Sequence, residues 1–254
     1  MTLVQLSDPH LRVGARDRES AEALEVAVRS ILALDPVPEA VLVTGDIADT
    51  GAAGEYERAR TLLGALHMPV YVLPGNHDDR DGLRAHFEVP GDGAFIQYAF
   101  RCAGVRVVAC DSTVPGQDGA SLDGGRLDWL AAELAADTET PTVVAMHHPP
   151  LTIGLPVLDA IAVNGSDRTG LAKVLAGAPQ VRRLVTGHVH RTAVGVLGGC
   201  GVLACTSSYE QAKLELGASE LTFVNEPPAF AVHVLLDGQL ISHIQPIRRT
   251  TSDR

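Results

Sequence analysis

Five short apolar runs of this chain each stop at a carboxylate, an amide or an imidazole, and that repetition restricts the fold more than any other feature of the sequence. Residues 2–6 are followed by Asp8 and His10, 41–44 by Gly45 and Asp46, 70–73 by Asn76 and His77, 142–146 by His147 and His148, and 183–186 by His188 and His190. Runs this short and this rich in β-branched residues read as buried strands. Between them lie stretches of helical period: 19–34, where Leu24, Val28, Ile31 and Leu32 share a face, then 55–66, and 126–136, which carries the single tryptophan, Trp129, as a core residue. Strands alternating with helices build sheets covered by helices, and such folds gather ligands at the carboxyl ends of the strands.

With 254 residues and 46% apolar content, the chain can fill a sizeable core and reads as one domain over 1–247 followed by a flexible tail, 248–254. A hairpin is expected over 98–109, turning at Ala103-Gly104, and another over about 229–244, where Asp237-Gly238 is a strong two-residue turn signal. The second hairpin is apolar on both faces, which predicts core on one side and a second subunit on the other, a homo-oligomer. The stretches 116–125 and 211–228 read as mobile loops bordering the pocket. A formal charge of −11 argues against nucleic acid or an anionic membrane as partner, since both require clustered Lys and Arg. No signal peptide and no apolar stretch of membrane-spanning length is evident, which predicts a cytoplasmic protein. Cys102, Cys110, Cys200 and Cys205 show no C-x-x-C spacing and read as buried free thiols.

The polar residues at the strand ends carry the chemistry. Asp8/His10 and His188/His190 are spaced i, i+2, so in extended chain each pair points one way. Six of the ten histidines follow strands; His67, His86, His233 and His243 do not and are read as structural. Carboxylates, imidazoles and one amide oxygen suit Mn, Fe, Co or Zn better than Ca or Mg, and the lack of nearby cysteine argues against a structural zinc site. Seven candidate ligands (Asp8, His10, Asp46, Asn76, His147, His188 and His190) exceed one tetrahedral shell, whereas two ions sharing a carboxylate fit the count. In the stretch Leu73–Arg80, LPGNHDDR, a turn alone accounts for Asn76 but not for the histidine beside it.

The ordered set Asp8-Pro9-His10, Gly45-Asp46, Gly75-Asn76-His77-Asp78, His147-His148-Pro149-Pro150 and Gly187-His188-Val189-His190 resembles the calcineurin-like metallophosphoesterases, most closely the class III cyclic-nucleotide phosphodiesterases and related glycerophosphodiesterases. The resemblance implies an α/β fold, a four-layer αββα sandwich of two mixed β-sheets flanked by helices. It implies one divalent ion held by Asp8, His10, Asp46 and His190, and a second held by Asp46, Asn76, His147 and His188, with Asp46 bridging. Two such ions bring four positive charges and the two aspartates return two, so even with a bridging hydroxide the centre keeps a net positive charge for an anionic diester. Neutral Asn76, in place of a third carboxylate, preserves that charge.

The activity so implied is hydrolysis of cyclic nucleotides or other small phosphodiesters by attack of a metal-bound hydroxide, without a covalent enzyme intermediate. Asn76, His77 and His148 are the candidate substrate contacts, and His77, outside the ligand list, is the group that protonates the leaving oxygen. The bland alternative for His77 is a loop residue bonded to Asp78 or Asp79. His148 stays open between substrate contact, support behind the ligands and a structural role; Arg12 reads as an exposed salt-bridging residue, with a contact to phosphate as the alternative. A phosphomonoesterase or nuclease on the same scaffold is the alternative function. A non-catalytic interaction module conflicts with every ligand position and His77 being filled.

Overall fold

A computed structural model describes residues 2–14, 17–91, 93–102 and 104–248. The elements in chain order are β1 (Thr2–Leu6), α1 (Asp17–Leu32), β2 (Ala40–Thr44), α2 (Ala53–Leu63), β3 (Val70–Leu73), α3 (Arg80–His86), β4 (Tyr98–Cys102), β5 (Val105–Ala109) and α4 (Gly124–Ala135). These are followed by β6 (Thr142–Ala145), α5 (Pro156–Ile161), α6 (Gly165–Ala176), β7 (Val181–Thr186), β8 (Ala193–Leu197), β9 (Cys200–Ala204), β10 (Gln211–Ala212), β11 (Phe223–Val224), β12 (Ala229–Leu236) and β13 (Gln239–Pro246).

Two mixed sheets result. The first runs β13-β12-β1-β2-β3, with β1, β2 and β3 parallel and the C-terminal hairpin antiparallel at its edge. The second runs β4-β5-β6-β7-β9-β8, with β5, β6, β7 and β9 parallel and an antiparallel strand on each edge. Alternation along β5 shows how the layers stack. Val107 and Ala109 join one core cluster with Leu3, Leu42 and α1's Leu24, while Val108 and Cys110 join another with Leu130 of α4 and Leu171 of α6. Helix, sheet, sheet, helix is therefore the order of layers, as the resemblance implies.

The parallel strands 2–6, 70–73 and the 98–109 hairpin have the predicted bounds, although Ala103 in its turn lies outside the described residues. Trp129 is partly buried against the α4–α6 core rather than enclosed by it. At the second hairpin, φ is positive at both Asp237 and Gly238, 48° and 75°, the conformation that matches a tight turn to strand twist. Leu236, Ile241 and Ile244 on it are exposed. The expected tail 248–254 lies outside the described residues except for Arg248.

Several elements depart from the sequence reading. Helix α3 begins directly after the Asn76-His77 loop because Asp79 caps it, accepting a bond from the Gly82 N–H at 2.7 Å. Helix α6 went unread because only Leu171 and Leu175 form its buried stripe, too few to make a periodic signal. The β8–β9 hairpin turns at Gly198 and Gly199, both with positive φ. The 211–228 stretch, read as a loop, contains the short β10–β11 ribbon, Ala212 pairing with Phe223.

Candidate metal centre

All seven candidate ligands converge at the carboxyl ends of β1, β2, β3, β6 and β7, where the two sheets face each other. The turns that bring them there are strained. Six described non-glycine residues have positive φ, and five are Asp8, His10, Asp46, His188 and His190, between 44° and 70°. Each costs on the order of 1–3 kcal/mol, tolerated only where the surrounding structure dictates it. Glycines allow the loops to touch. A Cβ on Gly75 would strike Asp46, one on Gly45 would strike the His147 ring, and one on Gly187 would strike Ser7 and Asp8.

Asp46 lies at the middle of the cluster. Its Oδ2 is 3.4 Å from His10 Nε2 and 3.3 Å from His147 Nε2, so a single carboxylate oxygen faces both groups of ligands. On one side, Asp8, His10, Asp46 and His190 present ligand atoms within 4.8 Å of one another. On the other, Asn76 Oδ1 lies 3.1 Å from His147 Nε2 and 3.0 Å from His188 Nδ1.

Hydrogen bonds behind the rings decide which nitrogens are free. His10 Nδ1 donates to the Asp49 carboxylate at 3.2 Å and His190 Nδ1 to the Glu210 carbonyl at 2.8 Å. His10 Nε2 and His190 Nε2 are thereby turned toward each other, 3.0 Å apart, and toward the Asp46 and Asp8 carboxylates. His147 Nδ1 likewise donates to the Thr44 carbonyl at 2.8 Å, which turns its Nε2 toward Asp46 and Asn76. Two carboxylates, one amide oxygen and four imidazole nitrogens turned toward one another are the donor set that divalent ions of the Mn, Fe, Co or Zn kind would complete. The residues present therefore fit two ions.

Burial opposes a charge on His147, yet the Asp46 carboxylate pushes its pKa up to about 9. Burial also opposes ionisation of Asp46, but His147 and His10 hold its pKa well below the usual carboxylate range. His188 and His190 are pushed down by burial and stay neutral, the form that ligates.

His77 projects beyond the ligands and is exposed, its ring edge-on to His10 at 4.8 Å between centroids. Its Nδ1 bonds neither Asp78 nor Asp79 but the Asp49 carbonyl, at 2.7 Å. Asp78 instead accepts backbone N–H bonds from Ile47, Ala48 and Gly75, which ties the second ligand loop to the third. His148 is buried with both nitrogens satisfied: Ser112 Oγ donates to Nδ1 at 2.8 Å and Nε2 donates to the Asp118 carbonyl at 3.1 Å. Burial, with His147 beside it, pushes its pKa down to about 3. Arg12 is not an exposed residue. Its side chain is 19% accessible, bonds Asp49 Oδ2 at 3.0 Å and lies over the Tyr209 ring.

Asp49 is the residue the sequence reading missed. Its carboxylate orients His10 while its carbonyl orients His77, so one residue aligns a candidate ligand and the candidate acid. Its spacing three residues after Asp46 was the one signal that pointed to it. His86 bonds the Gly82 carbonyl and stacks on Tyr56, and His233 bonds Ser242 and Gln5, both away from the cluster.

Comparison with known proteins agrees with this geometry. The calcineurin-like phosphoesterase family model matches residues 1–192. A protein described as "probable glycerophosphodiester phosphodiesterase GpdQ" from Arcobacter nitrofigilis is 31% identical over 248 residues, covering 94% of this chain and 90% of its own. The 3′,5′-cyclic adenosine monophosphate phosphodiesterase CpdA of Pseudomonas aeruginosa is 31% identical over 250 residues, covering 96% and 89%. A dimetal phosphatase from Danio rerio superposes with a TM-score of 0.75 over 98% of this chain and 96% of its own; at 16% identity it bears on the fold alone.

Proposed function

We propose, from the premise that this chain belongs to the calcineurin-like phosphoesterase family, that it hydrolyses small phosphodiesters, cyclic nucleotides or glycerophosphodiesters among them, at a binuclear metal centre. The observation that carries the reading is the Asp46 oxygen shared between two groups of inward-facing acceptors. Asp8, His10, Asp46 and His190 would hold one ion, and Asp46, Asn76, His147 and His188 the other. Two divalent ions so held supply Lewis acidity and lower the pKa of water, which phosphodiester hydrolysis at neutral pH requires.

The chain's own groups do the rest. Asn76, uncharged, keeps the centre cationic toward an anionic diester. His77 donates its Nδ1–H to the Asp49 carbonyl, which leaves Nε2 open; in the doubly protonated ring Nε2–H gives its proton to the leaving alcohol oxygen as that P–O bond breaks. Water's oxygen stays on phosphorus, so the products are a phosphomonoester and an alcohol. His148, with both nitrogens committed, supports this arrangement by holding the Asp118 loop and is left out of the substrate contacts. We take residues 1–247 as one metallophosphoesterase domain, active in the cytoplasm with Mn, Fe, Co or Zn. No helix among the described residues is long and apolar enough to cross a membrane. Exposed Leu236, Ile241 and Ile244 on the C-terminal hairpin support self-association.

The test is activity after metal reconstitution, on bis(p-nitrophenyl) phosphate against p-nitrophenyl phosphate. Faster turnover of the diester, with two metal equivalents per chain, is expected. Preference for the monoester would move the assignment to a phosphomonoesterase. Absence of both metal and activity would point to a non-catalytic module.

A further inference from the structure

Two cavities of unlike character meet at Asn76 and His77, which line both. The larger, of about 630 Å³, is polar, bounded by Thr50, Asp79, Asp81, Arg84 and Thr113, and touches none of His10, His188 and His190. The smaller, of about 380 Å³, contains all three of those imidazoles and has an apolar wall made of Leu158 and Ile161 from α5, Leu221 and Phe223. The wall is backed by core: Leu158, Ile161 and Leu221 pack in one cluster with Val189 and Ala212. Phe223 stands edge-to-face with His190, 5.3 Å between centroids at 62°, and is 47% exposed, so much of its ring remains open.

A phosphodiester has two ester arms. In a cyclic nucleotide both ester oxygens belong to one ribose, so a single cavity serves; two cavities flanking one centre suit two separate alcohols. His77 lines both cavities, and the polar one beside it, with Thr50, Asp79 and Arg84, suits the departing hydroxyl arm. The other arm stays on phosphorus beside the cluster, against the apolar wall. An open aromatic face opposite aliphatic side chains makes a slot for a flat ring.

Resting on the phosphodiesterase reading above, we propose that this site is built for acyclic diesters with unlike arms: the leaving alcohol occupies the polar cavity beyond His77, and the retained arm, an aryl or nucleoside group, lies against Phe223 and helix α5. Phe223 is thereby a specificity-determining residue, in a segment where the sequence showed only a loop.

Three substrates sharing p-nitrophenol as leaving group test this: methyl, phenyl and thymidine 5′-(p-nitrophenyl) phosphates, each assayed with the metal-loaded protein. In the wild type, kcat/KM for the phenyl and thymidine esters should exceed that for the methyl ester by about tenfold more than their intrinsic reactivities account for. Phe223→Ala should collapse that ratio toward the chemical one, and Phe223→Trp should keep it. Because intrinsic reactivity cancels between variant and wild type, the quotient reports the wall alone. The half-exposed position makes unfolding of the variant easy to check by its Tm. Methyl ester turnover with a ratio that Phe223→Ala leaves unchanged would overturn this inference while the phosphodiesterase reading stands. A cyclic nucleotide cleaved faster than every acyclic ester would also overturn it. No turnover of any diester by metal-loaded protein would remove both.

Discussion

The loops of the first sheet and those of the second contribute to the centre in different chemical currencies. From the first come Asp8, His10, Asp46 and Asn76, three of them oxygen donors; from the second come only imidazoles, His147, His188 and His190. Their supports differ as well. First-sheet groups are held by side chains, Asp49 behind His10 and Asp78 across three backbone amides. The second-sheet imidazoles His147 and His190 are held by carbonyls, those of Thr44 and Glu210. Bonds cross between the halves at the site itself, among them His147 Nδ1 to the Thr44 carbonyl and the His188 N–H to Asp8 Oδ1 at 3.0 Å. Neither half brings the seven candidate ligands together alone. The centre is a product of sheet docking, and its precision depends on what fixes one sheet against the other.

The sharpest way to break this division is at the shared atom. Asp46→Asn should cost the most, lowering metal content from two equivalents toward one and abolishing measurable diester turnover; retention of both metals would show that the halves do not share a ligand. Next is His77→Ala, expected to lose roughly 10²–10⁴ in kcat with metal content intact. That loss should be greater for alkyl than for p-nitrophenyl leaving groups, and an equal loss for both would remove proton donation from its role. Asp49→Asn should be milder, about 10- to 100-fold in metal affinity, the range for partners that orient a metal-bound imidazole. Excess metal should recover its activity, because the backbone carbonyl that positions His77 survives the substitution.

The smallest effect concerns the docking of the sheets. Gln5 of the first sheet donates to Thr44 Oγ1 at 3.0 Å and to the Thr186 carbonyl of the second at 2.9 Å, and His233 Nε2 donates to Gln5 Oε1. Burial, with Arg183 nearby, pushes the His233 pKa down from 6.5 to about 3, so the folded chain keeps it neutral while the unfolded chain protonates it below about 6.5. Its contribution to stability is thus present above pH 6.5 and is lost progressively as pH falls toward 3. Urea unfolding of His233→Gln should show a shallower loss of stability over that interval than the wild type; identical slopes would mean that His233 titrates alike in both states.

Much of the site is legible in the sequence because strand ends announce themselves. A run such as 70–73 must stop where its side chains become polar, and the residues at the stop are the ones a sheet collects. Asp49 escaped because it lies past the strand end, and its importance comes from a partner, His10, 39 residues earlier in the chain. His148 could not be separated from His147 by type or position; only the partners of their ring nitrogens distinguish them, carbonyl and acceptors for one, Ser112 and Asp118 for the other. The β10–β11 ribbon was unreadable for a similar reason, since its two-residue strands carry no periodicity and exist through pairing alone.

Residue chemistry and its spacing along the chain determined the sheet-and-helix class, the ligand types and the charge the centre can hold, because these are properties of local sequence. Tertiary structure decided which oxygen is shared, which imidazole nitrogen faces inward and where Phe223 comes to rest. Those depend on two sheets meeting face to face and on left-handed turns at Asp8, His10, Asp46, His188 and His190, whose place in the fold no local pattern of the sequence prints.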